Sequence, residues 1–223
     1  MTYDEARLLL LMHGPGTEDA DGEPLLVEDG FLCSLRPYSG LVERNFHLVM
    51  EALLTVGERL YREPLVDREL VKALWSICST ASGWGLHPDG MLQRNKLITP
   101  ADTKRLQVWV DIIECNALNI LGGLPPHYRV YRYSQYIIDF GWWDNIDFFI
   151  TIIERAILDP ALSEPCTDVA ALGKLGGRAR DALPALYQAL DREYTFYTPN
   201  DRCTEEVRGS IRQAIQSIEA DVG

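Results

Sequence analysis

The side chains of this 223-residue chain best placed to do chemistry are carboxylates. Asp139, Asp144, Asp147 and Glu154 stand close together in sequence. Brought to one point, such a set would hold a metal ion or serve acid–base catalysis. Two readings compete with that. Asp144, followed by Asp147, has the form of a capping box, in which acids meet the free amides of a helix start. Asp147 and Glu154 also fall on the wet side of an amphipathic helix. The four histidines, His13, His47, His87 and His127, lie in unrelated contexts. Glu43 and His47 stand one helical turn apart, a spacing able to bind metal, but no second pair completes a site, and an ordinary helix-face pair accounts for them. Asp139-Phe140-Gly141 shares three letters with the kinase magnesium motif, without the Gly-rich loop, strand lysine or catalytic loop that give it meaning. No GxSxG elbow or HExxH pair is present, and no Gly-Lys-Ser or Gly-Lys-Thr follows His13-Gly14-Pro15-Gly16. The expectation is a non-enzymatic chain with no metal and no cofactor. The alternative is an enzyme of unrecognised class using the carboxylates near Asp139–Asp147, together with His87.

The elements that position these acids come next. Residues 128–149 carry nine of the chain's 21 aromatic side chains. Each buries about 150–250 Å², so the cluster fills a core or dominates a binding surface. Tyr133, Tyr136, Ile137 and Phe140 recur at the spacing of one helix face, and Gly141 stops that helix. A second helix opens at Asp144 and runs through Ile146, Phe149, Ile150, Ile153 and Ile157. Trp142 and Trp143 lie in the bend and cannot both point the same way. One belongs to the core, and the other is a candidate surface anchor. A second candidate contact is Trp84 with His87, in the long, turn-rich stretch from Gly83 to Thr99. There the competing reading is a loop tied down by one buried tryptophan.

Charge narrows the partner. The net charge is −12, with eight acids and one base in residues 1–30 and seven acids and one base in residues 139–168. Direct nucleic-acid binding needs clustered Lys and Arg and is not expected. Acidic segments suit solubility or steering toward a basic protein partner. Cys33, Cys78, Cys115, Cys166 and Cys203 are far apart and form no CxxC pair, so neither zinc nor a disulfide framework is suggested. The apolar run from Leu8 to Met12 is far short of a membrane span, and Asp4 and Glu5 precede it where a secretory signal would be basic. No membrane association and a reducing cytoplasm are expected.

Periodicity fills in the remainder. A short helix over 3–12 places Ala6, Leu9 and Leu10 on its apolar side, and an acidic loop follows to Pro24. Residues 25–36 either pair as a hairpin around Asp29-Gly30 or lie across the helices. Val42, Phe46, Val49, Met50, Leu53, Val56 and Leu60 line a helix over 41–62, which Pro64 ends. Leu70, Ala73, Leu74, Ile77 and Cys78 line another over 67–82. Thr99, Pro100 and Asp102 start a third, which runs through Leu106, Trp109, Val110, Ile113, Ala117, Ile120 and Leu121 to Gly122-Gly123.

The final third carries a family pattern. Leu175-Gly176, the run Ala182 to Leu186 with Pro184, and the pair Val207-Arg208 resemble the HEAT-type helical repeat of bacteria. The resemblance implies paired helices that stack, and a role in binding. Independently, Ala179, Ala182, Leu183, Leu186 and Leu190 make one apolar stripe, and Val207, Ile211, Ala214, Ile215 and Ile218 make another. Each is too narrow to be buried alone. The expected architecture is all-α, a single helical domain over 1–223. Within it, 1–40 hold the short helix and acidic loop, 41–160 an irregular helical array, and 161–223 the HEAT-like stack. The expected function is protein binding through an acidic, aromatic-rich surface, as an adaptor or an immunity-type inhibitor of a basic protein. Its contacts would be Trp142, Trp143, Asp139, Asp144, Asp147, Trp84 and His87.

Overall fold

Amphipathic helices account for nearly all the regular structure among the described residues. A computed structural model describes residues 1–18, 23–25, 27–28, 30–128, 130–141, 146–159, 166–192 and 201–221, with 201–203 as backbone only. The fold is all-α. Strand is confined, among the described residues, to one two-stranded ribbon. No described helix is long and apolar enough to cross a membrane. The chain forms two compact units, Met1–Pro126 and His127–Gly223.

In the first unit, α1 (Tyr3–His13) opens with a reciprocal cap. The Glu5 amide donates to Thr2 Oγ1, and the Thr2 amide donates to Glu5 Oε2 at 2.7 Å. Its buried face is Ala6, Leu10 and Leu11, with Leu9 only half-buried. The ribbon pairs β1 (Thr17–Glu18) with β2 (Pro24–Leu25), antiparallel. Pairing thus occurs before Asp29-Gly30 and not around it. From Gly30 the chain lies across the helices, because Phe31, Leu32 and Leu35 must be buried.

In α2 (Glu43–Leu60), Phe46, Val49, Met50, Leu53, Val56 and Leu60 are all buried. Gly57 admits a close neighbour: a Cβ there would meet Ile120 Cδ1 at 2.6 Å. Helix α3 (Arg68–Ala81) is capped by Asp67, whose carboxylate accepts the Glu69 amide and pairs with Arg7 of α1. The stretch expected as a loop is largely built: a π-helical turn over Ser82–Leu86, then the one-turn α4 (Met91–Arg94). Helix α5 (Pro100–Leu121) starts as expected, with the Asp102 amide donating to Thr99 Oγ1 at 3.1 Å. Trp109, on α5, stacks on Phe46 with 5.1 Å between centroids and 2° between planes.

In the second unit, α6 (Tyr131–Phe140) buries Tyr133, Tyr136 and Ile137 and stops at Gly141. Phe140, expected on the same face, is 60% exposed at the last helical position, where Gly141 ends the helix. Helix α7 (Asp147–Leu158) starts later than a capping box at Asp144 requires. Ile146 stands at its cap and Asp147 is its first residue. At that position the Asp147 carboxylate still meets the positive end of the helix, while Asp144 lies outside the described residues.

Helix α8 (Cys166–Leu175) turns at Gly176 into a 3₁₀ stretch, Gly176–Ala182, which leads into α9 (Leu183–Leu190). Gly176 has φ +56, which a side chain rarely adopts. The stripe expected through this junction shifts: Ala185 and Ala189 are buried, while Leu183 and Leu190 are half-buried. A 3₁₀ stretch has three residues per turn, so a single 3.6-residue period does not carry across it. In α10 (Asp201–Ala220), Val207, Ile211, Ala214, Ile215 and Ile218 are all buried, as expected. This helix packs on α8, the 3₁₀ stretch and α9, and α7 packs on α8 and α9. Arg208 Nε donates to the Leu190 carbonyl at 3.1 Å and its Nη2 to that of Arg192 at 3.2 Å, satisfying the C-terminal end of α9.

These assignments have a direct check. Leu186→Ala or Ile215→Ala leaves a cavity between packed helices and should cost about 2–5 kcal/mol in urea unfolding. Gln213→Ala, on the exposed side of α10, should cost less than about 0.5 kcal/mol. Equal, small losses at all three positions would show the faces to be misassigned.

Candidate functional site

The residues nominated by sequence do not gather into one site. Asp139 is exposed near the end of α6 and accepts a hydrogen bond from Gln135 Nε2 at 2.9 Å, one turn back. Asp147 is exposed at the start of α7. Trp142, Trp143 and Asp144 lie outside the described residues. Glu154 titrates above its ordinary range, through burial and then the neighbouring Asp181 carboxylate. Among the described residues, no three His, Cys, Asp or Glu side chains are grouped so as to hold a metal ion.

Trp84 is half-buried, and the Arg36 guanidinium lies over its ring at 5.6 Å. His87 is exposed, and its Nδ1 accepts the Asp89 amide at 3.2 Å. Gln93 Nε2 donates to the Gly85 carbonyl and to Thr103 Oγ1, tying the turn to α5. The expected helix-face pair is also found. His47 Nε2 lies 4.0 Å from Glu43 Oε1, and burial pushes the ring down to about 4 against a smaller upward pull from Glu43.

Sequence reasoning missed two polar pairs. His127 Nε2 lies 2.8 Å from Asp159 Oδ2. Its buried Nδ1 has no hydrogen-bond partner among the described residues. Ser134 Oγ, on α6, donates to Asp168 Oδ1, on α8, at 2.6 Å. Burial pushes the Asp168 carboxyl up to about 7, opposed by that hydrogen bond.

The more substantial omission is apolar. Trp75 is 73% exposed on α3 and Leu118 is 64% exposed on α5. Both line a groove of about 170 Å³ together with Val71, Cys78, Glu114 and Leu121. Glu114 supplies a carboxylate at the rim. Burial first, then Glu114, push the Cys78 thiol up to about 12, so it stays protonated and unreactive. A signal for this groove was present. Trp75 falls outside the stripe Leu70, Ala73, Leu74, Ile77, and Leu118 outside the stripe of α5. Large apolar residues on the outward sides of two packed helices mark a surface left uncovered. Comparison with protein-family models, curated proteins and solved structures finds no match to this chain.

Asp168 generates a pH prediction. The folded carboxyl keeps its proton to about pH 7, whereas an unfolded aspartate loses it near ~3.9. The folded chain therefore binds more protons across that window, and this group lowers stability as pH rises through it. Asp168→Asn keeps an acceptor for Ser134 and removes the ionisation. The variant should gain on the wild type as pH rises from about 4.5 to 8, reaching about 1–3 kcal/mol at the upper end. Urea unfolding of both proteins at the two pH values measures it, since contributions such as that of His47 are common to both. A difference that does not change with pH would refute the assignment.

Proposed function

We propose that this chain is a non-enzymatic protein-binding module, an adaptor or an immunity-type inhibitor of a basic protein. Its docking site in this reading is the α3–α5 groove. The observation that carries the proposal is the exposure of Trp75 and Leu118 on opposite walls of one apolar groove. Leaving a tryptophan in water forgoes a large burial energy, and tryptophan is prominent among residues that dominate binding interfaces. The occupant has stated chemistry: an amphipathic segment whose apolar residues enter the groove and whose Lys or Arg meets Glu114. The net charge of −12 supports a basic partner and steers its approach. The acidic residues of 139–168 add to that charge.

Two further features fit this reading. The HEAT-like resemblance of the last third, a class of fold used for binding, points the same way, and α10 packs on both α8 and α9 there. Cys78 and Cys115 are free thiols, which suits a cytoplasmic setting.

The test uses a displayed library of helical peptides selected against the full chain. Selected peptides should carry apolar anchors one turn apart beside a Lys or Arg. Trp75→Ala should weaken their binding by about 2 kcal/mol, roughly 30-fold, while changing stability by less than about 0.5 kcal/mol. Glu114→Gln should mainly slow association and reduce its salt dependence. Selected peptides indifferent to Trp75→Ala and Leu118→Ala would sink the assignment of this groove.

A further inference from the structure

A second concavity, unrelated to the groove, lies between α1 and α2. Its volume is about 880 Å³, at the upper end of the range usual for small-molecule sites. Its walls are mainly apolar, formed by Leu8, Leu9, Met12, Val27 and Leu48. Of the polar groups that interrupt them, two are donors with hydrogen-bonding capacity to spare.

The first is His13, only 2% exposed. Its Nδ1 accepts the Phe31 amide at 3.1 Å. In the neutral ring the proton must therefore sit on Nε2. Burial, then the Arg44 guanidinium, hold the ring neutral by pushing it down to about 4. The His13 ring makes no other hydrogen bond among the described residues, so its Nε2–H stays available to a group entering the cavity that His13 lines. The second donor is Arg44 itself, which makes neither an ion pair nor a hydrogen bond among the described residues. The other polar groups along the walls are already engaged. Glu5 is held by the Thr2 amide, the Ser39 hydroxyl donates to the Ser34 carbonyl, and Asn45 is buried with partners of its own.

An unpaired guanidinium and an available N–H beside an apolar chamber specify a ligand with one anionic head and an apolar body. We propose that this cavity binds a small apolar carboxylate, its head between Arg44 and His13 Nε2–H and its hydrocarbon against Leu8, Leu9, Met12, Val27 and Leu48. A carboxylate accepts two donors at once, which a neutral alcohol of the same length cannot match.

The experiment titrates the full chain with decanoate and with 1-decanol by calorimetry. Decanoate should bind saturably at one site, with decanol about tenfold weaker. Arg44→Gln, at an exposed position, should reduce decanoate affinity by about tenfold and leave decanol unchanged. Leu8→Trp fills the chamber from its open side and should abolish binding of both. Arg94→Gln, on α4, and Trp75→Ala should bind decanoate as the wild type does. Unsaturable binding, equal affinity for the acid and the alcohol, wild-type affinity in Arg44→Gln or Leu8→Trp, or a loss that accompanies Trp75→Ala would each overturn the proposal.

Discussion

The first unit depends on the burial of Trp109. The indole stacks on Phe46 of α2 and stands 6.3 Å from the ring of Phe31. Three separate stretches of chain are thereby brought to one point. Stacked aromatic rings give both a large buried area and an orientation, which aliphatic packing does not supply. The close approach at Gly57 is the other half of the arrangement, because it lets α2 and α5 come near enough for the stack to form. With α2 on one side of α5, the α3 helix packs beside it and leaves Leu118 exposed. The groove beside Trp75 is thus what remains when a 22-residue helix is covered by neighbours that do not encircle it.

Polar burial obeys a different logic in the two units. In the first, buried His13 is kept neutral by desolvation and then by Arg44, and buried His47 by desolvation that outweighs the pull of Glu43. In the second, Asp168 is kept protonated and tied to Ser134, linking α6 to α8. Each is a titratable group lodged where its charged form is disfavoured. None of the three lies among the carboxylates that sequence first suggested for catalysis.

Much of the fold was legible because its signals are local. The caps at Thr99 and the stop at Gly141 are chemical statements about a few adjacent residues, and they hold. So does the stripe of α10, and those of α2, α3 and α5 hold except at their ends, where Val42, Cys78 and Leu121 are half-buried. The misreadings share a cause: they needed information from outside the segment. The face of α9 slips because the 3₁₀ stretch before it changes the residues per turn. Phe140 is exposed because burial at a helix end depends on whether another segment packs over it. Trp75 and Leu118 were visible as outliers of their stripes, but an outlier shows only that a residue faces outward. That two of them face the same groove is a fact of tertiary packing. His13 was equally opaque, since its role depends on the Phe31 amide eighteen residues away.

The turn at Gly176 has a mechanical consequence. The amide of Gly177 donates to Asp221 Oδ2 at 2.8 Å, just beyond the end of α10. A side chain at Gly176 would collide with that same carboxylate. The last described residue of the second unit is thus latched to the exit of α8, forty-four positions earlier. Tension applied at the C-terminal end would load this single hydrogen bond first and peel α10 from α8 one turn at a time. Tension along the axis of α10 would instead have to shear its whole buried stripe at once.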